Sequence, residues 1–270
     1  MKLHCIPILS ALFTSLVCFS NPATKISDNS PSSGIVIRWN DCEQTIDGFG
    51  IAQAGWAKEL FAFKNRKQVM DKMFGNDGLR LNILRGEIFP HYWENKEDKD
   101  FNLNDDINIE LCDSDFNNKS DDLLRRGQLW LTLEAKNKYH INKLVFSTWS
   151  APAWMKSNGK VSNGKLKPEC YQDFANYLAA FYKAYKSKGI TPYAISPSNE
   201  PGYAAPWNSS LWTADVMGKF ITSNLGPTFQ KENIPAKIIF GENPLWSVVM
   251  PQLKMVSSKD FTDTILQDYP

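Results

Sequence analysis

The residues of this chain best suited to chemistry are Asn199 and Glu200, within Ser196-Pro197-Ser198-Asn199-Glu200-Pro201. They directly follow a short apolar strand predicted over 191–195, and a proline stops the run. A carboxyl group at a strand's C-terminal edge is placed for general acid/base work, and the amide beside it can hold a hydroxyl. That use requires the strand to belong to a barrel of alternating strands and helices, where the C-terminal edge carries the chemistry.

The elements that must position the pair follow from hydrophobic periodicity and turn residues. Strands are predicted over 35–39, 44–49, 79–84, 143–148, 191–195 and 237–240, and helices over 56–74, 123–139, 168–188, 213–225 and 244–256. The helix over 168–188 is the clearest: Tyr171, Phe174, Leu178, Phe181 and Tyr185 recur at steps of three and four, Pro168 opens it and Gly189 ends it. Between 88 and 120 the chain is charged and rich in Asn and Asp, a long loop of the kind used functionally or left disordered. From 44 onward strand and helix alternate five times, which argues for a parallel sheet covered by helices. A doubly wound sheet is the alternative, but no glycine-rich phosphate loop follows any strand, so the barrel is preferred.

Composition removes several function classes. With 270 residues, 43% of them hydrophobic, one substantial core can form, and a net charge of +1 gives no electrostatic case for nucleic acid or an anionic membrane. Nine Trp, nine Tyr and sixteen Phe could stack on the apolar faces of sugars, although aromatics also fill cores. Only three His occur, one of them His4 near the N-terminus, and neither His91 nor His140 lies in a metal or triad motif. Metal and histidine chemistry are thereby disfavoured, no cofactor is expected, and carboxylates are left as the reagents.

The predicted strand ends collect Gly48 to Ile51, Arg85 to Glu87, Trp149 to Trp154, Asn199 to Glu200, and Glu242 to Asn243. Three of these segments carry a family likeness. Gln44-Thr45-Ile46-Asp47-Gly48-Phe49-Gly50, then Trp149-Ser150-Ala151-Pro152-Ala153-Trp154-Met155-Lys156-Ser157-Asn158-Gly159, then Ser198-Asn199-Glu200-Pro201 resemble glycoside hydrolase family 30 in order and spacing. That resemblance implies a (β/α)8 TIM barrel with a side β-sandwich, and hydrolysis of a β-glycosidic bond with retention. Such chemistry uses one carboxylic acid to protonate the leaving oxygen and a carboxylate about 5 Å away to attack the anomeric carbon. By the resemblance Glu200 is the general acid/base, Asn199 binds the sugar 2-hydroxyl, and Arg85 and Trp149 match an arginine and a tryptophan at the second and third strands. Arg85 could instead form a structural ion pair with Glu87, and Trp149 or Trp154 could be core residues plugging the barrel mouth. Tyr203 and Trp207 are candidate sugar-subsite walls or ordinary packing. The family places its nucleophile on the seventh strand, so Glu242 and Glu87 are read as cleft or structural residues and no nucleophile is expected in this chain.

Domain expectations follow. Residues 1–20 read as an export signal: Lys2, an apolar run from Ile6 to Cys18, then small residues at a cleavage site. Secretion or periplasmic export is expected, with a lipid anchor through Cys18 as a variant. Residues 21–34 read as a flexible tether, 35–43 as the first strand of the β-sandwich, and 44–270 as an incomplete barrel of about five β/α units that is inactive alone. Cys42, Cys112 and Cys170 remain after the signal, an odd number that leaves at least one free thiol. The expected partner is an oligo- or polysaccharide, with no integral membrane span and the oligomeric state open. Xylan-type substrates are slightly favoured over β-1,6-glucan, β-1,6-galactan and glucosylceramide, and a non-catalytic carbohydrate-binding protein is the alternative class.

Overall fold

The computed structural model describes residues 38, 40–41, 46–53, 56–93, 95–98 and 126–242. The chain divides into two compact units, residues 1–45 and 46–270, and nearly all the described residues belong to the second. The predicted strand 35–39, the helix 244–256, the signal with Cys18, and Cys42 and Cys112 lie outside the described residues, Arg38 excepted. Cys170 is buried and free. No helix among the described residues is long and apolar enough to cross a membrane.

Five parallel strands form one sheet in the order of the chain: β1 (Gly50–Ala52), β2 (Ile83–Ile88), β3 (Lys143–Thr148), β4 (Ala194–Ser196) and β5 (Lys237–Ile238). Strictly sequential order, with no reversal point, is the arrangement of a TIM barrel and excludes the doubly wound alternative. The crossovers carry α1 (Ala57–Ala62) and α2 (Arg66–Phe74), α3 (Arg126–Tyr139), α4 (Tyr171–Ser187), and α5 (Ala214–Phe220) with α6 (Gly226–Lys231).

Alternation along the strands sorts side chains between the two faces. Phe146 lies 5.1 Å from the Phe181 ring and 4.9 Å from the Tyr185 ring of α4, so its face of β3 meets the helices. Arg85 and Ser147 point to the other face. Phe174, Tyr177, Leu178, Phe181 and Tyr185 are all buried, which is why the periodicity of α4 is so legible. Gly86 is demanded by this packing: a Cβ there would come within 2.7 Å of the Phe146 ring.

Several predicted boundaries are corrected. The helix 56–74 is two helices, because Phe63 turns to extended backbone (φ −68°, ψ 123°) and the chain restarts at Arg66. Arg66 compensates at the break by donating to the Phe61 carbonyl (2.6 Å) while its guanidinium lies 4.6 Å above the Phe61 ring. The second strand runs four residues later than predicted. Leu79 and Leu81 are consumed in closing α2, donating to the carbonyls of Lys72 (2.8 Å) and Met73 (2.9 Å). The first strand likewise begins at Gly50, and the fourth spans Ala194–Ser196. The helix predicted to end at 225 continues through Gly226-Pro227, because a π turn over Ile221–Leu225 widens the backbone where proline supplies no N–H.

One side chain substitutes for missing sheet. The N–H of Glu87 donates to Gln128 Oε1 (2.7 Å), and Gln128 Nε2 donates to the Glu87 carbonyl (2.7 Å) and to the Tyr185 hydroxyl (2.9 Å). A buried amide of α3 thus satisfies both backbone groups of a residue in β2 beyond the reach of the short β1. Gln128→Leu should destabilise the fold by about 2–3 kcal/mol in urea unfolding, since two buried backbone groups lose their partners. A change below about 0.5 kcal/mol would remove the amide from this role.

Candidate active site

The strand ends assemble a cluster around Arg85. Its Nε donates to Glu242 Oε1 (3.0 Å) and one terminal nitrogen donates to Asn199 Oδ1 (2.7 Å), while the guanidinium lies 4.6 Å from the centre of the Trp149 ring. Glu242 also accepts from the Ser147 hydroxyl at 2.5 Å. Residues of β2, of β3 and its exit, and of the exits of β4 and β5 therefore meet at one point. Arg85 forms an ion pair as the sequence allowed, but with Glu242 and not with Glu87. It also lies inside β2, not after it.

The fork of Arg85 decides how Asn199 is turned. A guanidinium carries donors only, so Asn199 must present its oxygen to it. Its Nδ2 is left facing away with no partner among the described residues, ready to donate to a ligand hydroxyl. Asn199 is itself fixed by its backbone, whose N–H donates to the Thr148 carbonyl at 2.6 Å.

Glu200 holds a backbone conformation that L-residues rarely adopt, with φ +45°, and it precedes a proline that narrows its freedom further. Two bonds impose the conformation: its N–H donates to the Glu242 carbonyl (2.8 Å), and its carbonyl accepts from the Tyr203 N–H (2.9 Å). Strain of this kind costs on the order of 1–3 kcal/mol and concentrates at functional sites. The Glu200 carboxyl is half-buried and has no side-chain partner among the described residues.

The aromatic candidates separate. Trp149 is half-buried against Arg85. Trp154 donates its indole N–H to the Trp93 carbonyl (3.3 Å) and packs against the core, outside the Arg85 bonding network. Tyr203 and Trp207 stand 48% and 55% exposed with ring centres 6.3 Å apart. A hollow of about 830 Å³ lies between α2 and Gly78-Leu79 ahead of β2, and none of the strand-end residues around Glu200 lines it. Among the described residues no group of three or more His, Cys, Asp or Glu could hold a metal ion.

Residues 46–243 match the model of the glycosyl hydrolase family 30 TIM-barrel domain. The chain belongs to glycosyl hydrolase family 30. Its relatives include the endo-1,6-beta-D-glucanase of Neurospora crassa, 28% identical over 237 residues, and the lysosomal acid glucosylceramidase of Mus musculus, 30% identical over 123 residues. Those matches cover 81% and 40% of this chain, and 45% and 24% of the relatives. Among solved structures, the catalytic domain of the family 30 xylanase C from Talaromyces cellulolyticus is similar with a TM-score of 0.68 and 25% identity, over 82% of this chain and 52% of that one. The chain thus spans about half or less of the length of these family 30 proteins.

Two buried polar residues, one in the cluster and one in the loop after β3, were not singled out in the sequence. Ser147 is a buried partner of Glu242, and Lys156 is fully buried in the loop after β3. Ser147 could have been found by counting two residues back from Trp149 along the same strand. Lys156 stands in a segment that carries the family likeness, but its burial was not legible, since a lysine beside Ser, Asn and Gly reads as exposed loop.

Two tests follow from the charges. Glu242→Ala leaves the part-buried Arg85 without its carboxylate and should lower stability by about 2 kcal/mol in urea unfolding while loosening Asn199; an unchanged midpoint would detach Glu242 from the site's architecture. For Lys156, burial pulls the ammonium down from 10.5 to about 8. Below pH 8 both folded and unfolded chains are charged there, and the full cost of the buried cation is present. Between about pH 8 and 10.5 the unfolded chain holds the extra proton at this group, so the Lys156 contribution to stability rises with pH. Across that window the native protein should gain up to about 3 kcal/mol on Lys156→Met in denaturant titrations, and parallel curves would contradict the shift.

Proposed function

We propose that this chain carries the acid/base side of a retaining β-glycosidase. The observation that bears most weight is the orientation of Asn199: its free Nδ2 stands beside a strained Glu200, and both are locked by Arg85 and Glu242. In this reading Glu200 protonates the glycosidic oxygen as it leaves and later takes a proton from the attacking water. Asn199 Nδ2 donates to the sugar 2-hydroxyl, a bond that strengthens as charge develops on the ring. Arg85 holds Asn199 in that orientation and Trp149 supports Arg85 from its other side. Trp154, Tyr203 and Trp207 contribute aromatic surface to the sugar path.

Two further carboxylates lie at strand ends among the described residues. Glu242 is bonded to Arg85 and Ser147, and Glu87 is buried within β2. We therefore assign the attacking carboxylate to sequence outside the described residues, and expect the described unit alone to bind without turnover. The substrate class is a plant or microbial β-glycan, met outside the cytoplasm as a secreted, periplasmic or lipid-anchored protein. A xylan backbone is favoured over β-1,6-glucan, β-1,6-galactan or glucosylceramide by the run Asn158 to Leu166.

The full-length polypeptide should be assayed on xylan, β-1,6-glucan and β-1,6-galactan. Glu200→Gln should lower turnover by about 10³-fold while leaving oligosaccharide affinity within about threefold. Undiminished turnover would remove Glu200 from the acid/base role. Binding by the native protein without turnover on any glycan would instead support a carbohydrate-binding protein.

A further inference from the structure

Lys156 is a fully buried cation that the chemistry above does not use. It opens a hairpin over 156–166 that follows β3: Lys156 bridges Leu166 antiparallel, Ser157 N–H donates to the Lys165 carbonyl (2.8 Å), and Lys167 N–H to the Met155 carbonyl (2.9 Å). Against this hairpin lies the segment that follows Glu200. The N–H groups of Ser209 and Leu211 donate to the carbonyls of Val161 (3.0 Å) and Gly164 (2.9 Å), and Asn163 N–H donates to Ser209 Oγ (2.9 Å).

The ammonium ties the two segments to the sheet. Lys156 Nζ donates to Ser150 Oγ (3.0 Å), at the exit of β3, and to the Ser209 carbonyl (2.7 Å), in the loop after β4. No carboxylate among the described residues pairs with it. An apolar side chain of similar size would fill the space at lower desolvation cost. What the cation adds is direction: a charge-assisted bond that accepts one position of the Ser209 carbonyl and few others.

The loop so anchored is narrow at its base, where Trp212 N–H donates to the Pro201 carbonyl (2.7 Å). Between that closure and Ser209 it presents Tyr203 and Trp207 to solvent. Two large aromatics held outward cannot be kept there by burial, so their place depends on the backbone that carries them. We infer that Lys156 is a positioning residue that sets, through the Ser209 carbonyl, where the loop bearing Tyr203 and Trp207 stands beside Glu200. The sugar-facing use of that loop rests on the function proposed above; the positioning itself does not.

The two parts are tested separately on the full chain. In hydrogen exchange, Lys156→Met should raise the exchange rates of the Asn163, Ser209 and Leu211 amides by about tenfold or more, with Val145 and Phe146 in β3 unchanged. Rates equal to those of the native protein at the three loop amides, or a uniform rise across the sheet, would overturn the positioning role. Ser150→Ala removes one acceptor while keeping the lysine, and should raise the same three rates by a smaller factor. If Lys156→Met does not fold, Ser150→Ala decides the positioning by the same three amides. In a second arm, xylo-oligosaccharide affinity is measured by tryptophan fluorescence for Lys156→Met, Trp207→Ala and the double variant. A double variant no weaker than Trp207→Ala shows that Lys156 acts through the aromatic loop, and additive losses would overturn that route. Failure of the native protein to bind any glycan would sink the proposed function and leave the exchange result to decide the positioning.

Discussion

The site depends on one property of Arg85: its guanidinium donates in a fixed plane and accepts nothing. Whatever touches it must offer oxygen. Glu242 and Asn199 both do, and their orientations follow from that demand. Trp149 closes one face of the plane, Ser147 takes the second oxygen of Glu242, and the free end of Asn199 is then the donor that points away from the cluster. A lysine at this position would also demand oxygen, but its single rotatable ammonium would not hold Glu242 and Asn199 in one fixed plane.

The sheet makes that convergence possible. Parallel strands in sequential order bring the ends of β2, β3, β4 and β5 to one edge, although Arg85 and Glu242 are 157 residues apart in the chain. The cost falls on the backbone nearby. β1 is too short to pair with Glu87, and the Gln128 side chain completes the bonding. Glu200 is held at φ +45° by the backbone of Glu242 and of Tyr203. The same residue that orients Arg85 through its side chain thus fixes Glu200 through its carbonyl.

The legible parts of the fold share a physical character. The strand over 143–148 is readable because its apolar run is buried on both faces, and the helix ending near 188 because one face is buried and its period survives without interruption. Elsewhere local and tertiary demands diverge. Leu79 and Leu81 look like strand residues but close α2 instead, and Leu79 is left 74% exposed. Phe63 continues the apolar helical pattern, yet the helix breaks there and Arg66 restores the lost bonding. Gly226-Pro227 reads as a helix stop, and a π turn carries the chain through it.

The candidate site divides along the same line. Asn199, Glu200, Arg85 and Trp149 could be named from the sequence because strand ends in an alternating β/α chain have a known side, and because residue types restrict chemistry. Family membership was equally readable, since three short segments in order are a one-dimensional property. Distances across the sheet are not. That Arg85 chooses Glu242 over Glu87, that Asn199 turns its oxygen inward, and that Lys156 is buried under Ser209 depend on which strand ends face each other and on what water is excluded. Only packing in three dimensions decides those, because the energy of a charge depends on its surroundings and not on its neighbours in sequence.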